Sequence, residues 1–159
     1  MAATTRDSVT YKKLHTDKYV GKATERGGRM FPIPFEHTVV SGEVGGASAG
    51  TQDKVNLCVI PANAMVVDLA LASDNVWGSA GVNGTFQLGD SGDDDRYSVA
   101  VESYSTNGPI ATEKAYDGLA VTGQNYTPTA DTIVVLVWKT ANPTVGKKVK
   151  GCFFVVLAE

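Results

Sequence analysis

Four groups of residues in this 159-residue chain carry side chains able to do chemistry. Gly46-Ala47-Ser48-Ala49-Gly50 spells the G-x-S-x-G of a nucleophile elbow. An elbow needs a strand before the serine, a helix after it, and an acid and then a histidine later in the chain. Here a strand pattern follows the serine, and both histidines, His15 and His37, precede it. The motif therefore reads as a small-residue loop. Asp90-Ser91-Gly92-Asp93-Asp94-Asp95-Arg96 is the densest charge cluster. Its carboxylates Asp90, Asp93, Asp94 and Asp95 are a weak calcium candidate, since calcium takes several oxygen ligands. Their spacing is not that of a helix–loop–helix calcium loop, and the same residues make an ordinary solvated turn. His37 lies beside Glu36 in an alternating segment and reads as a packed strand histidine. Cys58 and Cys152 fall in strand patterns and read as two thiols acting as small hydrophobes, not as a disulfide. Two cysteines and two histidines are too few and too scattered for zinc. The sequence thus predicts no catalytic residue, no cofactor and no firm metal site.

The elements that would hold these residues are β-strands. The chain has 21 Val, 16 Thr and 17 Gly against 8 Leu. β-branched side chains are stiff in helices and pack well on pleated surfaces. With 43% apolar and 19% charged residues, the chain can bury a substantial core. Strand patterns run over Phe35–Val44, Lys54–Ile60, Met65–Ala72, Thr85–Leu88, Tyr97–Tyr104, Leu119–Val121, Asp131–Lys139 and Lys147–Ala158. Val55, Leu57 and Val59 are expected on one face of their strand, as are Val67, Leu69 and Leu71 on the next. Thr132–Trp138 is apolar at nearly every position, as in a strand covered on both faces. About eight short antiparallel strands predict an all-β fold, a jelly-roll-like or Greek-key β-sandwich.

The first 34 residues differ from the rest and are expected to form an extended N-terminal arm, with the sandwich over 35–159. Residues 1–30 hold seven basic and three acidic groups, a net +4, which leaves −7 for the remainder. Such a division is typical of interaction tails. Met1–Ser8 has no apolar stretch behind its charges, so no secretory signal is expected. No apolar run is long enough to span a bilayer. The apolar motif Met30-Phe31-Pro32-Ile33-Pro34-Phe35 joins the arm to the sandwich. Its prolines enforce extended backbone. Its apolar residues must pack on the domain itself or on a neighbouring subunit. Met30, Phe31, Ile33 and Phe35 are the expected packing anchors, and Lys12, Lys13, Lys22, Arg26 and Arg29 the expected electrostatic contacts. Nucleic acid is a poor partner, because basic residues are not interleaved with aromatics and the body is acidic.

From residue 57 onward the order of motifs resembles small tailed-bacteriophage virion proteins. Leu57-Cys58-Val59-Ile60-Pro61-Ala62-Asn63-Ala64-Met65-Val66-Val67-Asp68-Leu69 resembles their strand–turn–strand. Gly84-Thr85-Phe86-Gln87-Leu88-Gly89-Asp90 resembles the strand after the next loop. Tyr126-Thr127-Pro128-Thr129-Ala130-Asp131-Thr132-Ile133 resembles the lead-in to a late buried strand. The chain is similar in this to head decoration (cement) and auxiliary capsid proteins. The resemblance implies a non-enzymatic protein on the exterior of the virion capsid, assembled in the host cytoplasm. Its partner would be the major capsid protein, and it would be a homo-oligomer, a trimer being favoured. Two other readings stay open. One is a tail, collar or head-fibre component. The other is a carbohydrate-binding jelly roll with Trp77 and the Asp90–Asp95 loop at one end.

Overall fold

The computed structural model describes residues 5–8, 30–46, 52–74, 85–102 and 125–157. Among them are eight strands: β1 (Thr5–Asp7), β2 (Met30–Thr38), β3 (Lys54–Ile60), β4 (Ala64–Ser73), β5 (Thr85–Gly89), β6 (Ser98–Glu102), β7 (Thr132–Trp138) and β8 (Lys148–Leu157). They form a five-stranded sheet in the order β1-β3-β7-β5-β6 and a three-stranded sheet in the order β2-β8-β4. The protein is an all-β sandwich, as expected. Every described strand pair is antiparallel except β1 with β3, which is parallel. No helix among the described residues is long and apolar enough to cross a membrane.

The alternating apolar residues fill the space between the sheets. Trp138, Tyr97, Phe86 and Phe153 are its largest fully buried side chains. Phe153 joins the two layers: its ring centroid lies 5.6 Å from that of Phe35 and 5.2 Å from that of Tyr97, the latter edge-on. Phe86 meets Trp138 edge-on at 5.9 Å. Such tilted and edge-on geometry suits the aromatic quadrupole. Gly151 makes room for one of these rings. A Cβ at this position would lie 2.5 Å from both the Phe35 ring and the Ala70 carbonyl oxygen.

Two β-bulges overturn details of the simple alternation. In β3 the register shifts between Asn56 and Cys58, so Leu57 and Cys58 are both buried, and Ile60, not Val59, continues the core face. In β4 it shifts between Val66 and Asp68. Ala64 and Val66 face the core before the shift, Leu69 and Leu71 after it, and Val67 is only half-buried. A bulge puts two residues opposite one and moves the rest of the strand to the other face. In β7, by contrast, both faces are covered from Val134 to Trp138, as expected. On its outer side the Asp93–Asp94 backbone lies directly over β5, since a Cβ on Gly89 would come within 2.2–2.5 Å of it.

β2 begins at Met30, five residues before the strand start expected at Phe35. Met30–Pro34, the end of the expected arm, is thus the first five residues of a nine-residue strand paired with β8 of its own domain. The expected strand Leu119–Val121, Ser48 and Trp77 lie outside the described residues.

Candidate interaction surface

Alternation along β2 sorts its residues onto two faces. Ile33, Phe35 and His37 are buried, with Phe31 packed against the core. Met30, Pro32 and Pro34 face outward, and Met30 is 61% exposed. β2 is an edge strand, so its two prolines cost no ladder bond. Register places Met30 beside Val156 and Met65, Pro32 beside Phe154 and Asp68, and Pro34 beside Cys152 and Ala70. These rows make a mainly apolar outer face on the three-stranded sheet. It holds an open groove of about 450 Å³ around Pro34, Ala70, Ala72 and Cys152, with Glu36 and Lys150 at its rim. The polar end of the face is marked by an ion pair of Lys148 Nζ with Glu36 Oε1 at 2.9 Å. A contiguous apolar face rimmed by charge is the usual signature of a contact surface.

The acidic loop is built inward as well as outward. The Asp90 carboxylate is buried and accepts bonds from the Gly92 and Asp93 N–H groups (2.8 and 3.1 Å), from Arg96 Nε (2.7 Å) and from the Tyr97 hydroxyl (3.2 Å). Burial and the Asp90 charge push the Tyr97 phenol far above its ordinary range. Arg96 also stacks 4.2 Å from the centre of the Tyr126 ring, a cation–π contact. Of the four calcium candidates, Asp90 is thus engaged in holding its own loop. Asp93, Asp94 and Asp95 have carboxylate oxygens within 4.8 Å of one another. Asp94 also pairs with Lys139 Nζ at 3.0 Å. A hydrogen bond between Asp93 and Asp95 pushes Asp95 up and holds Asp93 down.

His37 belongs to a buried network that alternation alone does not reveal. Its Nε2 lies 2.9 and 3.2 Å from the two Glu43 oxygens. The same carboxylate accepts the Val40 N–H (2.8 Å) and the Trp138 indole N–H (2.7 Å). Burial works to raise the Glu43 pKa, but the hydrogen bonds from His37 and Val40 outweigh it and hold it below the usual carboxylate range. Glu43 thereby ties β2, the following turn and β7 together.

The N-terminal segment docks on the edge of β3. The Ser8 N–H donates to the Asn56 carbonyl (2.7 Å) and the Ser8 hydroxyl to the Leu57 carbonyl (3.0 Å). Arg6 donates to the Gly42 carbonyl at 3.0 Å and lies 3.7 Å from the buried Asp53 carboxylate. Gly42, at φ +85°, adopts the left-handed turn that presents this carbonyl. Sequence reasoning missed Arg6, Ser8, Glu43 and Asp53, because a three-residue strand and a lone buried acid carry no periodic signal. Of the expected contact residues, Met30, Phe31, Ile33 and Phe35 come together on β2. Lys12, Lys13, Lys22, Arg26 and Arg29 lie outside the described residues. Cys58 and Cys152 are both free thiols, Cys58 fully buried.

No family model matches the chain. No curated protein matches it. Solved structures do. A chain in the capsid of Ralstonia phage GP4 aligns with TM-score 0.70 and 17% identity over 99% of each chain. A chain of the cyanophage Pam1 capsid asymmetric unit aligns with TM-score 0.62 and 20% identity, over 83% of this chain and 87% of that one. A chain of the acid-stable capsid of the Helicobacter pylori bacteriophage KHP30 aligns with TM-score 0.51 and 19% identity, over 83% and 91%. At such identities the likeness is one of fold, and the fold this chain shares is found in three phage capsids.

Proposed function

We propose that this chain is a non-enzymatic virion structural protein, a decoration or cement protein that binds the outer surface of a phage head and stabilises it. The observation that carries this reading is the end-to-end match to a chain of the Ralstonia phage GP4 capsid, 99% of both chains. The outer faces of the sandwich are suited to the role. A stiff domain presents an apolar sheet face with Met30, Pro32, Pro34 and Phe154. Residues 1–30, of opposite net charge to the body, supply attraction to an acidic shell or neighbour. Weak contacts repeated over many symmetric copies add by avidity. The major capsid protein is the proposed partner, and the protein acts as a homo-oligomer, a trimer by preference, assembled onto heads in the host cytoplasm.

The test is binding to purified phage heads stripped of this protein. The intact chain should co-sediment with heads to saturation. Reversing the charges of Lys12, Lys13, Lys22, Arg26 and Arg29 together should lower occupancy and its salt sensitivity, with the fold unchanged by circular dichroism. Equal occupancy by the charge-reversed protein would remove the arm from the mechanism. Absence of head binding by the intact chain would refute the role itself.

A further inference from the structure

Strand β1 is joined to its sheet in a way that fits a detachable part. It is three residues long, pairs in parallel, and among the described strands is laddered only to the outer edge of β3. Yet its seat is specific. One side chain, Arg6, is read by the Gly42 carbonyl and the Asp53 carboxylate, and another, Ser8, by the Leu57 carbonyl. Two of the three receiving residues, Asp53 (2% exposed) and Leu57 (0%), are buried in the domain, and Ser8 itself is buried once seated. The seat is a strand-addition site, in which backbone bonds supply affinity and side-chain pockets supply selectivity.

The register fixes where β1 leaves. Running parallel to β3, Ser8 exits toward Ile60. The Pro61–Asn63 turn carries the chain from Ile60 to Ala64, which pairs with Leu157, and Met30 pairs with the adjacent Val156. Ser8 and Met30 therefore point to the same end of the sandwich. β2 packs beside β3, so crossing from one sheet to the other at this end needs a few residues, since packed sheets lie roughly 10 Å apart. The sequence places 21 residues, positions 9–29, between Ser8 and Met30. A chain of that many residues can span up to roughly 70 Å. That length lets residues 5–8 reach the same seat on a neighbouring molecule.

We propose that the β3 edge takes residues 5–8 of a second copy of this chain, so that neighbouring molecules are tied together by exchanged N-terminal strands. The inference rests on the homo-oligomeric part of the proposed function, and is independent of the shell to which the oligomer binds. Exchange of an identical element between copies is a low-cost route to oligomers, because the seat already fits the segment.

Disulfide trapping tests it on the full-length free protein. Thr5 and Lys54 are direct register partners, close enough for a disulfide. T5C and K54C are placed on separate chains of different tag length, both with C152S, mixed at high protein concentration and oxidised. Exchange predicts a covalent pair of one T5C and one K54C chain on a non-reducing gel. It also predicts that a chain carrying both substitutions forms a covalent ladder. Closure of that double variant into an intramolecular loop, with no mixed pair, overturns the proposal. So does failure of either arrangement to cross-link, since β1 would then not occupy the seat. No phage heads enter the experiment, so either result leaves the decoration role to its own test.

Discussion

Replacing Glu43 with Gln isolates the buried network that joins β2 to β7. The carboxylate receives His37 Nε2, the Val40 N–H and the Trp138 indole N–H, all within 3.2 Å. An amide keeps one acceptor oxygen and turns an NH₂ group toward a donor. At least one buried N–H then loses its partner, at about 1–3 kcal/mol. Loss of charge assistance in the remaining bonds adds to this, for a total of about 2–4 kcal/mol. In urea at neutral pH the midpoint should fall by roughly 1–2 M with little change in slope. The pH dependence is the sharper check. The folded-state pKa of Glu43 lies below its unfolded value. Its contribution is therefore fully present above the unfolded carboxylate pKa and is lost as pH falls through the folded one. The gap between wild type and Glu43→Gln should be widest at neutral pH and narrow as pH falls through the lowered folded-state pKa of Glu43. A gap under about 0.5 kcal/mol at neutral pH, or one that stays constant into acid, would mean that the Glu43 charge does not hold β2 to β7.

Gly151→Ala should destabilise the fold by about 3 kcal/mol in chemical denaturation, because the new methyl meets backbone on one side and the Phe35 ring on the other; a neutral effect would mean the strands part at no cost. Asp90→Asn removes the acceptor shared by Arg96 and Tyr97 and should lower Tm by roughly 5–10 °C in calorimetry, whereas an unchanged Tm would make the loop a passive turn. Burial pushes the Cys58 thiol far up and raises that of Cys152 less. In the native protein a thiol reagent should thus modify at most Cys152, slowly, and both only after denaturation; rapid reaction of two thiols would contradict the burial of β3.

The part of the fold legible in the sequence is the part that alternation encodes. Composition and period-two patterning point to an all-β sandwich because burial on one face of a strand imposes that pattern on Val55, Leu69 and Phe153. They place Asp131–Lys139 as a doubly covered strand for the same reason. They fail at Val59 and Val67, because a bulge leaves no mark in hydrophobicity yet reverses the facing of every later residue in its strand. They begin β2 too late, because the extended backbone that Pro32 and Pro34 enforce reads as part of the arm, whereas an edge strand accommodates both prolines. The inward role of Asp90 was hidden for another reason. A cluster of four acids within six residues looks uniformly solvated, and only the fold shows that Asp90 turns inward to accept from Arg96 and Tyr97. The docking of Arg6 and Ser8 depends on partners 36 to 49 residues away in the sequence, which no local pattern announces.

The proposed function puts this sandwich on the outside of a phage head. The direct measurement is a reconstruction of the mature particle with this chain fitted to density. Many copies grouped around symmetry axes on the outer surface, in contact with the major capsid protein, are the predicted result. Copies confined to the tail or collar, or a particle with no density for the chain, would contradict it.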